Sequence, residues 1–185
     1  MMQQSANSEV VAVRGYKNFQ VATLVALRIF IGWHFFYEGL AKLLNQYWTS
    51  AGYLADSQWW FKGLFLSIAT SPSTLAVVDF LNVWGLILIG LGLMLGLFSR
   101  AATIAGIVLL ALYWIVAPPF VGYTYAMPAE GSYLVVNKVL IELTALCVLL
   151  AFPTSRVFGL DRLVLDRLMF WKRNPEPTPQ RQAHA

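Results

Sequence analysis

Four ionisable side chains interrupt one apolar stretch near the N-terminus. Arg28, His34, Glu38 and Lys42 all fall between Phe19 and Leu44. Further along, Asp79 and Asn82 sit at the start of a second apolar run, and Asn137, Lys138 and Glu142 at the start of a last one. A charge near the centre of a bilayer costs about 2.5–3.5 kcal/mol on insertion scales, so each of these needs a partner or a purpose. Their types define what that purpose could be. A carboxylate held in low dielectric becomes a proton donor near neutral pH, and a neighbouring imidazole can relay the proton. Ammonium and amide groups can polarise a carbonyl or steady an oxyanion.

These residues must be positioned by helices in lipid. Of the 185 residues, 58% are hydrophobic and 12% charged, whereas a soluble domain carries about 25% charged residues. The net charge of +4 is too small and too scattered for a nucleic-acid surface. A single cysteine, Cys147, excludes an internal disulfide, a CxxC pair and a thiolate zinc site. With His184 in the tail, His34 stands alone, which excludes bis-histidine haem and argues against a histidine-built metal centre. Apolar runs predict four spans, at 19–44, 77–98, 101–117 and 133–152, the third ended by Pro118-Pro119 and the fourth by Pro153. The expected architecture is an all-α bundle of four transmembrane helices with a C-terminal interfacial amphipathic helix. Residues 1–18 form an N-terminal arm, 19–153 the membrane domain, 154–173 the amphipathic helix on the inner surface, and 174–185 a disordered tail. Gly92/Gly96, Ala101/Ala105 and Ala102/Gly106 give small-residue spacings that allow close helix contact.

Nine basic residues (Arg14, Lys17, Arg100, Arg156, Arg162, Arg167, Lys172, Arg173 and Arg181) share one side of a four-span chain. The positive-inside rule places that side, and both termini, in the cytoplasm, as in a bacterial-type inner membrane. Loops 45–76 and 118–132 then face outward. Both are aromatic, and within the first Trp59–Ala69 forms a short apolar stretch expected to be interfacial or re-entrant. An aromatic belt at the headgroups or a lid over a site would each account for them.

On a helix, Lys42, Glu38 and His34 fall at about −40°, −80° and −120° from Arg28, with Gly32 and Gly39 beside them. This polar arc should face the bundle interior. Glu38, Lys42, Asp79, Asn82, Asn137, Lys138 and Glu142 all converge on the outer half of the membrane, and Arg28 lies in the inner half. Structural ion pairs at i,i+4 (Glu38/Lys42 and Lys138/Glu142) are one account. Another is snorkelling of Lys42 and Asp79 to the interface. The third is a polar pocket open to the outside, which explains both the shared depth and the aromatic loops above it.

Arg28-x3-Gly32, Glu38-Gly39-x2-Lys42-Leu43, and Gly96-Leu97-Phe98-Ser99-Arg100-Ala101-Ala102 resemble the DoxX/DoxD membrane-protein family. Gly159-Leu160-Asp161 is similar to that family's closing Ser-Leu-Asp, and the likeness covers roughly residues 20–165. The resemblance implies a four-helix bundle and, in named members, a membrane subunit of thiosulfate:quinone oxidoreductase or a related complex. Under that reading Glu38, Glu142 and His34 would be the catalytic proton-handling groups. Lys42, Asp79, Asn82, Asn137, Lys138 and Arg28 would bind quinone or substrate. The implied cofactor is a non-covalently held quinone, with no metal or haem. The partners would be lipid, an extracytoplasmic or membrane-associated redox protein supplying the electrons, and further copies of the chain if it oligomerises. A small-solute transporter and a structural membrane anchor are the competing readings.

Overall fold

The computed structural model describes residues 18–126, 134–154 and 159–161. Among these there is no β-strand. Six helices follow in order: α1 (Asn18–Leu44), α2 (Ala51–Ala55), α3 (Lys62–Thr70), α4 (Pro72–Leu95), α5 (Ser99–Val116) and α6 (Lys138–Ala151). The long helices α1, α4 and α5 are each long and apolar enough to cross a membrane.

The helix boundaries follow local chemistry. The second expected span begins five residues early, because Pro72 sits at the first turn of α4, where a missing N–H costs nothing. It ends at Gly96, whose left-handed backbone (φ 63°) closes the helix. The fourth expected span is shortened. Asn137 caps α6 by accepting a hydrogen bond from the Leu140 N–H at 3.0 Å, so the helix starts at Lys138 rather than at residue 133. At 14 residues, α6 extends about 21 Å, less than the ~30 Å hydrocarbon core. The apolar stretch in the connection 45–71 folds as α3, and α2 precedes it. Residues 1–17, 127–133, 155–158 and 162–185 lie outside the described residues, and with them nearly all of the expected N-terminal arm, amphipathic helix and C-terminal tail.

Helices α1 and α4 run antiparallel with their backbones in contact. A Cβ placed on Gly90 would lie 2.5 Å from the Phe36 nitrogen, and one on Gly39 would lie 2.9 Å from the Ile87 nitrogen. Gly32 meets Gly90 from the other side. These glycines, more than the Gly92/Gly96 spacing, make the close approach. Gly92 faces Ala102 on α5, and Gly96 belongs to the turn. Ile31 and Phe35 from α1, Leu86, Ile89 and Leu93 from α4, Leu110 from α5, and Leu146 and Leu149 from α6 form the core. The outer surface keeps Phe30, Trp33, Phe80, Leu88 and Val108 exposed, as a lipid-facing bundle requires.

At the end of the bundle where α4 turns into α5, the chain is fastened by its own later residues. The Phe98 and Ser99 N–H groups donate to the Asp161 carboxylate at 2.7 and 3.2 Å, and the Asp161 N–H donates to the Gly96 carbonyl at 2.9 Å. A carboxylate at the start of α5 satisfies amides that have no partner within the helix. Arg28 is buried beneath this turn, with Nη1 donating to Thr154 Oγ1 at 3.3 Å and its guanidinium against Gly96.

Candidate functional site

The opposite end of the bundle holds a cavity of about 160 Å³. Helix α1 lines it with His34, Phe35, Glu38 and Lys42, one residue or one turn apart. Leu86 of α4 and Leu110 of α5 close its apolar side, with Tyr113 at the α5 end. Lys138, Val139 and Glu142 of α6 complete the wall. Phe35, Leu86 and Leu110 are buried, while Glu38 and Lys138 are exposed. The open side is therefore the seam between α1 and α6.

His34 and Glu142 bridge that seam. Nδ1 of His34 lies 2.8 Å from Oε1 of Glu142, with the imidazole 46% exposed and the carboxylate 14%. Glu38 stands one turn beyond His34 on the same face. The polar arc on the first span puts His34 and Glu38 on one face; the partner that His34 takes, Glu142 of α6, is one that the arc does not predict.

A second polar group sits deeper. The Lys42 ammonium donates to Asn82 Oδ1 at 3.2 Å and to the Tyr113 hydroxyl at 3.4 Å. Asn82 Nδ2 donates to the same hydroxyl at 2.7 Å. The Trp48 and Tyr113 rings lie 5.1 and 5.4 Å from Nζ, giving it two cation–π contacts. No ion pair forms between Lys42 and Glu38 at i,i+4, so the lysine charge is held by neutral dipoles and aromatic faces. The sequence reading missed Tyr113. Its available signal is that Gly106, Leu110 and Tyr113 share one face of α5, the face that meets the core.

The connections 45–71 and 117–126 pack over this end. Tyr53 donates to the Tyr113 carbonyl at 2.8 Å, and their rings meet edge to face at 6.1 Å. Burial pushes the Tyr53 phenol well above its usual value, so it stays a donor. The Ala126 N–H donates to Asp56 at 2.7 Å, Gln58 donates to the Thr124 carbonyl, and Trp59 stacks edge to face on Phe120 at 5.4 Å. The two aromatic loops thus bind each other and reach site residues through Trp48 and Tyr53. The lid reading accounts for contacts that a simple belt would not require.

Of the nine sequence-predicted site residues, His34, Glu38, Lys42, Lys138 and Glu142 line the cavity, and Asn82 holds two of its groups. The other three are engaged elsewhere. Asp79 accepts from Thr49 Oγ1 at 2.8 Å, Ser50 N at 2.9 Å and Ser50 Oγ at 2.5 Å, anchoring the start of α2. Asn137 caps α6. Arg28 lies in the turn at the far end. Among the described residues, no three His, Cys, Asp or Glu side chains gather as a metal site.

Comparison with known proteins gives one match. A family model described as DoxX matches residues 23–119, just over half of the chain. No curated protein and no solved structure matches it.

Proposed function

The chain belongs to the DoxX family of multi-pass membrane proteins, and from that premise we propose that it is the membrane subunit of a quinone-linked oxidoreductase. The supporting observation is the cavity: about 160 Å³, with an acid–base pair on one side and hydrogen-bond donors on the other. That volume is close to the ~150 Å³ of an engineered cavity that holds one benzene ring. Its open seam lies between two helices, where a lipid-soluble ring could enter from the side.

Reduction of a quinone takes two electrons and two protons and turns each carbonyl oxygen into a hydroxyl. The His34–Glu142 pair would deliver one proton and Glu38 the other. Lys42, held by Asn82, would draw charge toward the opposite carbonyl oxygen. The sequence offers one cysteine and two histidines, so the electrons would come from a partner protein outside the membrane that oxidises a small reductant such as thiosulfate. In this reading α6, about 21 Å long, makes the fourth crossing. The basic residues around the spans support, by the positive-inside rule, a topology with both termini in the cytoplasm of a bacterial-type inner membrane.

The test is mass spectrometry of the protein gently extracted from its native membrane, scored for bound quinone and for co-purifying proteins. Stoichiometric quinone with an exported dehydrogenase is the expected result. Good recovery with neither would overturn the proposal and turn attention to solute flux.

A further inference from the structure

The hydrogen bonds around Tyr113 settle where its own proton can go. A phenol has one donor and two acceptor positions. Asn82 Nδ2 and Lys42 Nζ both point at this oxygen, and both groups only donate. The Asn82 amide cannot be turned round, because a flip would set its NH₂ against the Lys42 ammonium, which now donates to Oδ1 at 3.2 Å. Both acceptor positions of the Tyr113 oxygen are therefore filled. Among the described residues, no acceptor is placed for its proton, and the side chain lines the cavity. Tyr53 holds the Tyr113 backbone, and Trp48 and Tyr53 pack around the same corner.

Resting on the quinone reading above, we infer that Tyr113 is the hydrogen-bond donor that selects a ligand oxygen in this cavity, with Lys42 and Asn82 as the residues that aim it. The recognised feature is an acceptor oxygen on a single ring, a carbonyl before all others. A hydroxyl oxygen in the same place can also accept from Tyr113 through a lone pair, but it is a weaker acceptor than a carbonyl. The site favours the oxidised ring over its hydroxyl form through that difference alone. A ring of equal shape without oxygen would leave the phenol proton unmatched inside an apolar wall, which is the usual basis of rejection by a polar site. Tyr113→Phe keeps the ring and removes this donor, together with the acceptor that Asn82 Nδ2 and Lys42 Nζ use, a change that bears on both probes alike.

The probes are duroquinone, whose fully substituted ring does not add thiols such as Cys147, and durene, the hydrocarbon of the same shape. Binding of duroquinone is read by quenching of tryptophan fluorescence in detergent, and binding of durene by competition. Tyr113→Phe is expected to weaken duroquinone about five- to tenfold, the value of one hydrogen bond, and to leave durene unchanged. Equal weakening of both would mean that Tyr113 only shapes the cavity, and unchanged duroquinone would mean that it donates nothing; either result overturns the inference. If the wild type binds neither probe, the quinone reading itself fails. A measurement on the wild type alone guards against a variant that does not fold. The infrared carbonyl band of bound duroquinone is expected to split, with one component lowered by the donor. A single unshifted band would overturn the inference.

Discussion

His34 and Glu142 are separated by 108 residues in the chain and meet at 2.8 Å across the seam between α1 and α6. Packing across the seam includes that meeting, and under the proposed function the chemistry depends on it. It joins the two helices that border the open side of the cavity, and it makes one acid–base unit of side chains that would otherwise be isolated charges in lipid.

The pair should act as a unit. Glu142→Gln is expected to lower quinone-linked turnover about 100-fold, in the range usual for a lost proton donor. His34→Ala should do likewise, and the double variant should be no worse than either alone, because each substitution disables the same relay. Turnover of the reconstituted complex checks this. Independent, multiplying losses would contradict it.

The glycine contact between α1 and α4 makes a second prediction. Gly90→Ala forces a methyl group to within 2.5 Å of the Phe36 nitrogen, which should destabilise the bundle by about 1–3 kcal/mol. Gly85→Ala on the same helix meets nothing within 4 Å and should be neutral or slightly stabilising. Thermal unfolding in detergent compares the two.

At the far end, Asp161→Ala leaves the Phe98 and Ser99 N–H groups without their acceptor. The expected loss is about 0.5–2 kcal/mol, as for a helix cap, with quinone affinity unchanged because the cavity lies at the other end. Unfolding and duroquinone binding, measured on the same preparation, separate the two effects.

How much of this was legible beforehand can be judged residue by residue. The polar arc of His34, Glu38 and Lys42 was readable because helical spacing fixes which side chains share a face. The depth argument correctly brought Lys138 and Glu142 to them. Depth also set Arg28 apart, at the end where it meets Thr154, but it did not separate Asp79 and Asn137 from the cavity, since membrane depth does not reveal local partners: Ser50 and the Leu140 N–H are contacts set by turns and caps. The shorter α6 has the same origin, a cap at Asn137 that overrides an apolar run. Tyr113 escaped because a lone tyrosine near the end of a span reads as an interfacial anchor. Only the placement of Asn82 and Lys42 around its oxygen gives it a different part.

Tyr53 offers a pH test of the lid. Burial raises its phenol above the ordinary value of 10.0. A folded state that keeps the proton while the unfolded chain releases it is stabilised fully below pH 10, and that contribution is lost as the pH rises through and beyond 10. Tyr53→Phe should cost about 1 kcal/mol at neutral pH through the lost bond to the Tyr113 carbonyl. It should also flatten the fall in melting temperature above pH 10. An identical alkaline slope in variant and wild type would contradict the assignment.

The central claim, that a quinone occupies the cavity beneath this lid, is tested most directly by photolabelling the membrane-embedded protein with an azidoquinone and mapping the modified peptides. Label confined to the segments 34–42, 110–113 and 138–142, and displaced by excess duroquinone, is the predicted result. Label spread along the lipid-facing surface of α1 and α4, or insensitive to competition, would contradict it.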